Sequence, residues 1–361
     1  MIPFQPGTET GGATKFNKET KMKTILAATS ALALVAGGAV AEELNIYNWG
    51  NYTNPKLIEK FEAETGIDVT ITDYDSNDTA LAKVKAGGHG FDIVVPSNSY
   101  VPIWISEGLL LESRPDQMEN FENVDPQWVD VEWDPGRHYT VPWQWGSTGV
   151  VVNTKYYDGD IDTSAIFMDP PDELVGKINV VPEMGDVMGL AIMYYGGERC
   201  TDDMELLKKV RDGLVEAKKK WLGMDYGNIE KFAKEDLWAG VNWNGSTFRM
   251  RLANEDIAYG YPKEGYPLWM DSVAVLKDAQ NPEAAKAFQN FIMEPENAAL
   301  ISEFARYANG IKGSEEFMPE DMMSAREIVI PEDLKAAGKF MKTCSPETQQ
   351  IYTRIWTDLQ K

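Results

Sequence analysis

The stretch ELNIYNWGNYTNPKLIEKFEAETGIDVTITDYDSNDTALAKVKAGGHGFDIVV, residues 43–95, decides the fold class. Leu44 and Ile46 alternate with polar residues, as in a short strand. Asn54 and Pro55 then offer an N-cap and a proline at the first helical position, and Leu57, Ile58 and Phe61 fall on one face of a helix that Gly66 ends. Val69 and Ile71 restore the two-residue period, and Asn77 is placed to cap a second helix through Val84. The unbroken apolar run Phe91 to Val95 suits a strand buried on both faces of a parallel sheet. A β-α-β-α-β unit in about fifty residues predicts α/β architecture, with ligands held where strand ends meet loops.

Further along, residues 117–136 show no clean period and read as surface loops and short turns. PWQWG, residues 142–146, leads into a strand from Val150 to Asn153. A second α/β unit begins with a strand from Ile178 to Val181 and a helix from Gly185 to Tyr195. Thr201 is placed to cap a long helix with Asp202 and Asp203 in its first turn and Lys218 to Lys220 in its last, matching the helix dipole. Strands are expected at Gly240–Trp243, Ile257–Tyr261 and Leu268–Leu276, a helix at Ser246–Leu252, and two helices opening at Asn281-Pro282 and Glu294-Pro295. No internal repeat or low-complexity tract interrupts this pattern.

The length of 361 residues, with 43% hydrophobic and 25% charged residues, suits two globular lobes and excludes disorder. Fifty-seven acidic residues against 34 basic ones leave a net charge of -23, which repels nucleic acid at long range and favours a cationic ligand. Residues 1–41 read as a leader. Residues 22–41, MKTILAATSALALVAGGAVA, have the charged start, short apolar run and small-residue cleavage site of a signal peptide, preceded by 21 extra residues. Without its four lysines and two glutamates the chain carries 30 basic and 55 acidic residues, a net of -25. No cysteine follows the cleavage site and no later run is long enough to span a bilayer, so a freely diffusing, exported, periplasmic protein is expected. Export leaves two alternatives for Cys200 and Cys344, a disulfide or two separate buried thiols. They have no metal-ligand spacing.

Aromatic residues fall near strand ends at Trp49, Tyr52, Trp243 and Trp269, with Tyr307 beyond a helix, while Trp128, Trp221 and Trp356 are explained by packing alone. Carboxylates Glu183, Asp186 and Asp271 occupy similar positions. Aromatic faces attract a cation by about 0.5 to 2 kcal/mol each and cover its methylene stem, and carboxylates accept the ammonium protons. A secreted hydrolase using Glu183 and Asp186 is a competing reading, but acids beside a helix N-terminus are favoured by the dipole without catalysis. His89 and His138 read as loop or surface residues, and no nucleophile motif accompanies them. A sugar-binding protein does not need three acids. An iron-binding protein needs paired tyrosines, and Tyr156-Tyr157 and Tyr194-Tyr195 lack supporting ligands.

Six strings in order, IYNWGNY, YDSND, FDIVVPSNSYV, VPWQWGSTGV, WNGSTF and PKEGYPLWMDSVAV, resemble the periplasmic spermidine- and putrescine-binding proteins of bacterial polyamine ABC importers over nearly the whole mature chain. The resemblance implies a two-lobed periplasmic-binding-protein-like fold of type II, with crossover strands between lobes. The implied lobes are residues 42–147 with 269–315, and 148–268 with 316–361. It also implies an aromatic box of Trp49, Tyr52, Trp243, Trp269 and Tyr307, a serine contact at Ser97, and ammonium-binding acids at Glu183, Asp186 and Asp271. The implied protein is a monomer without cofactor, metal or catalysis, whose partners are a polyamine and a membrane ABC permease. Another small cation, an amino-acid-like ligand or a sugar is the alternative cargo. The chain departs from the family at Ser99, where some members have a tyrosine wall, and at Gly50-Asn51, where many have a polar-acidic pair. Lys342 falls near an amine-binding amide of the family, and either faces solvent or meets a ligand acceptor.

Overall fold

The computed structural model describes residues 42–361; the expected leader lies outside the described residues. The quoted stretch forms β1 (Glu43–Trp49), α1 (Pro55–Thr65), β2 (Asp68–Tyr74), α2 (Asn77–Lys85) and β3 (Ile93–Val94). Asn54 caps α1 by accepting from the Lys56 amide, and Gly66 ends it in the left-handed region at φ 73°. At α2 the cap is Ser76 rather than Asn77. Asn77 is the first helical residue, and its side chain is engaged elsewhere, donating to Ser97 Oγ at 3.0 Å.

The next elements are α3 (Val101–Ser106), the hairpin strands β4 (Asp130–Val131) and β5 (Asp134–Pro135), and β6 (Thr140–Asn153). Then come α4 (Ala165–Met168), β7 (Ile178–Val180), α5 (Met184–Tyr194), α6 (Met204–Lys218), α7 (Ile229–Ala233) and β8 (Ala239–Trp243). The chain continues with α8 (Asn244–Ala253), β9 (Ile257–Gly260), β10 (Tyr266–Val275), α9 (Pro282–Phe291), α10 (Pro295–Ala305), β11 (Gly338–Phe340) and α11 (Pro346–Gln360). The cap of α6 is Asp203, which accepts from the Glu205 and Leu206 amides, while Thr201 stands upstream and accepts from the Asp203 amide. Aspartate wins because its carboxylate also meets the positive end of the helix dipole.

Strand β6 includes the PWQWG segment instead of following it. Proline there breaks the ladder signal, and the sheet absorbs it with a bulge: Asp271 of β10 faces Gln144, the next residue Ser272 faces Pro142, and Trp143 is the extra residue between. The nine-stranded sheet runs β2-β1-β3-β10-β6-β8-β7, with β11 beside β10 and β9 beside β6. Strands β1, β2 and β3 are mutually parallel, β10 is antiparallel to β3 and β6, and β7 is parallel to β8.

Two main cores flank this sheet. One contains Leu44, Phe61, Trp104, Trp143, Val273, Phe288 and Ile301, and the other Val150, Phe167, Val187, Leu214, Tyr259, Tyr266 and Trp356. Both β6 and β10 contribute to each, so these two strands cross between the cores. Trp128, Trp221 and Trp356 are buried in them. Cys200 and Cys344 form a disulfide between the segment after α5 and the segment before α11. His89 lies in the loop after α2, as read, but its side chain is 2% exposed, stacks on Phe91 and accepts from the Phe91 amide at 3.0 Å. Its neighbouring glycines, Gly87, Gly88 and Gly90, all have positive φ and fold the loop back so that the ring packs inward.

Candidate ligand-binding site

The ends of β1 and β8, the middle of β10, the N-terminus of α5 and the turn after α10 meet around one cavity. It is lined by Trp49, Tyr52, Ser97, Glu183, Asp186, Trp243, Trp269, Asp271 and Tyr307, together with Tyr226 and Met341. All nine residues singled out in the sequence therefore face the same space. Trp269 and Asp271, two apart on β10, share a face as the strand period requires.

The aromatic walls are mutually braced. Ring centroids are 5.5 Å apart for Tyr52 and Tyr307 at 84°, 5.2 Å for Trp269 and Tyr307 at 67°, and 6.2 Å for Trp49 and Trp243 at 65°. These are edge-to-face geometries, which fix ring orientation. The polar edges are tied down as well: Trp49 Nε1 donates to the Val95 carbonyl at 3.0 Å, and Trp269 Nε1 to Thr148 Oγ1 at 3.1 Å. Two glycines make room. A Cβ on Gly146 would lie 2.8 Å from the Trp269 ring, and one on Gly245 would lie 2.6 Å from the Tyr307 ring.

Three carboxylates enter this aromatic enclosure, with Asp186 1%, Glu183 2% and Asp271 4% exposed. Asp271 accepts from Ser97 Oγ at 2.6 Å and from the Tyr52 hydroxyl at 3.0 Å. Ser97 is held in turn by Asn77, whose side-chain amide donates to its Oγ and accepts from its backbone N–H at 3.0 Å. Asp186 accepts from Trp243 Nε1 at 2.7 Å, but its Oδ1 has no partner. Glu183 stands at the N-cap of α5 without capping it. One of its oxygens accepts from the Asn77 amide at 3.2 Å and Oε1 has no partner, so the helix dipole alone does not explain its position.

Burial dominates the acid–base behaviour. It raises Asp271 to about 7 against the hydrogen bonds from Ser97 and Tyr52, and raises Asp186 to about 6 against the hydrogen bond from Trp243, the neighbouring Thr148 hydroxyl and the Arg199 guanidinium. Glu183 is pushed well above the carboxylate range by burial and by the nearby Asp186 and Asp78. The enclosure thus holds three acids that burial makes harder to ionise, and two oxygens that lack a donor. Such a site can stabilise an organic cation.

Tyr226 and Met341 complete the lining and were not marked by sequence reasoning. Tyr226 belongs to an irregular loop without periodicity, and its hydroxyl donates to the Gly50 carbonyl at 2.7 Å. Met341 had a usable signal: on an extended segment, a solvent-facing Lys342 implies an inward neighbour. Lys342 does face solvent, its side chain 70% exposed and its Nζ 4.0 Å from Glu132. Ser99 is buried but absent from the lining. Among the described residues no group of three His, Cys, Asp or Glu side chains is placed to hold a metal, and no helix is long and apolar enough to cross a membrane. Tyr156 stacks on Trp238 and hydrogen-bonds Glu235, a packing role.

The profile of the bacterial extracellular solute-binding protein family matches residues 56–328. The chain belongs to this family. Among its relatives, the spermidine/putrescine-binding periplasmic protein of Escherichia coli is 31% identical, with 92% of each chain covered. The putrescine-binding periplasmic protein SpuD of Pseudomonas aeruginosa is 29% identical over 94% of this chain and 98% of its own. A solved Listeria monocytogenes chain, assigned as a spermidine/putrescine ABC transporter, superposes with a TM-score of 0.83 at 30% identity, covering 88% of this chain and 99% of that one. The solute-binding fold is two-lobed, and β6 and β10 cross between the two cores. Its cavity lies between them: Trp49 and Asp271 come from the first core's segments and Glu183 from the N-terminus of α5 in the second.

Proposed function

We propose that this chain is a periplasmic solute-binding protein that captures a polyamine between its lobes and delivers it to an ABC permease, without catalysing a reaction. The observation that carries the reading is three buried carboxylates, none ion-paired among the described residues, inside a cage of aromatic rings. An ammonium supplies the missing donors at Glu183 Oε1 and Asp186 Oδ1, and the rings of Trp49, Trp243 and Trp269 cover the methylenes. The names of the Escherichia coli and Pseudomonas aeruginosa relatives support the same cargo class. They also support the periplasmic location. Residues 42–147 with 269–315, and 148–268 with 316–361, act as the closing lobes; most members of the two cores fall on that division, with Met341 the exception, packing in the first core.

A neutral sugar would leave the acids without cationic partners, and hydrolysis would need a substrate bond and a water between acids whose neighbours are rings. Calorimetric titration of residues 42–361 with putrescine, spermidine, γ-aminobutyrate and a neutral sugar tests the proposal. At least one polyamine is expected to bind at micromolar concentration or tighter, with no heat from the sugar. Sugar binding without polyamine binding overturns it.

A further inference from the structure

Beside the main cavity lies a second space that shares the walls Tyr52, Tyr226, Trp243 and Tyr307. The rest of its lining has the opposite polarity. It contains no carboxylate, and it presents Asn228, Asn242 and the guanidinium of Arg249. Asn242 Nδ2 donates to Asn228 Oδ1 at 2.8 Å, and the buried Asn228 Nδ2 has no acceptor. Arg249 donates to Asn51 O at 3.1 Å and to Asn51 Oδ1 at 3.0 Å, and it lies 5.0 Å above the Phe304 ring. It has no carboxylate ion pair among the described residues, and Asp73, behind the Gly50 turn, lines neither cavity. The two adjoining spaces therefore offer unpartnered acceptors in the first, and in the second one unpartnered amide N–H and a guanidinium with no carboxylate partner.

We infer that Arg249 is a specificity-determining residue that limits the cargo to short diamines by repelling an ammonium that extends beyond the aromatic cage. The inference rests on the polyamine reading and names the substrate class within it. A diamine keeps both charges among Asp271, Glu183 and Asp186. A longer triamine that threads past Tyr226 and Tyr307 brings a third ammonium toward a guanidinium, in a partly desolvated space where like charges interact strongly. Asn228 adds to the mismatch, since its free N–H offers an ammonium nothing to donate to.

Calorimetry with putrescine and spermidine on three proteins tests this. The unaltered chain is expected to bind putrescine at least about tenfold more tightly than spermidine. Arg249→Gln is expected to narrow that ratio by about tenfold, whereas Arg249→Lys, which keeps the charge but loses the paired grip on Asn51, retains it. Using the ratio removes any common loss of affinity from weaker closure. A ratio that Arg249→Gln leaves unchanged, or a preference for spermidine in the unaltered chain, overturns this inference while leaving the polyamine reading intact. Failure of the unaltered chain to bind either amine overturns both.

Discussion

Asp271 shows how one side chain serves the whole site. Its two oxygens are each held by a hydroxyl, so it is aimed before any ligand arrives, and burial keeps it near neutrality when empty. Asp271→Asn preserves the shape but removes the charge, and is expected to cost about 2 to 5 kcal/mol of polyamine binding; unchanged affinity by calorimetry would remove Asp271 from the ligand's partners. The same burial predicts a pH dependence. A bound ammonium favours the ionised carboxylates, so binding releases the protons held up to about 7 by Asp271 and about 6 by Asp186. Affinity is expected to fall as pH drops from 7 to 5, with proton release visible as a heat that depends on the buffer; constant affinity across pH 5 to 8 would contradict it. For folding the sign is opposite. The native state holds a proton on Asp271 that the unfolded chain, with its ordinary value of 3.8, has lost, so this group's contribution to stability falls as pH rises from about 4 to 7. At this scale the acids and most rings were legible because order and spacing matched a known family. Tyr226 was not, because its place depends on a loop folding over Gly50.

Among the elements, α5 carries the site's second half on its N-terminus, and the segments around it are tied together. Arg199 donates to the Gly185 carbonyl at 2.8 Å and the Lys342 carbonyl at 3.2 Å, and the adjoining Cys200 is bonded to Cys344. The disulfide closes a loop of 144 residues in sequence separation, so replacing both cysteines with serine is expected to destabilise the protein by about 2 to 5 kcal/mol. Scanning calorimetry reads this as a drop of several degrees in unfolding temperature, and an unchanged temperature would show that the crosslink adds nothing. Helix caps and strand periods made most elements readable: Asn54 and Gly66 bracket α1 where expected. Where two candidate caps stand side by side, as at Ser76 and Asn77, local chemistry does not choose between them. The tertiary bond from Asn77 to Ser97 does. The expected strand from Val150 to Asn153 falls ten residues short of β6 because the β6 proline is tolerated only through a bulge against β10, which is a property of the pair.

Across the whole molecule, the two cores meet through polar contacts that surround the cavity: Tyr226 to Gly50, Arg249 to Asn51, and the Asn77 amide to Glu183. Lobes were legible from length and from the family resemblance, but these contacts join residues between about 100 and 200 positions apart, which no local period reports. Their consequence is mechanical. Closing an empty site buries three acids and leaves two carboxylate oxygens without donors, a cost that a bound diammonium ion offsets. On the proposed function the ligand is therefore expected to bind the closed arrangement better than an open one and to shift the population toward it; moving it from 1:99 to 99:1 needs a differential affinity of about 10,000-fold. Small-angle scattering is expected to give a smaller radius of gyration for the polyamine-saturated protein than for the free protein. Asp271→Asn, at a polyamine concentration that saturates the unaltered chain, should retain the larger radius. Superimposable profiles for free and saturated protein would show that the lobes are closed without cargo, and the charge on the ligand would then have no part in holding them together.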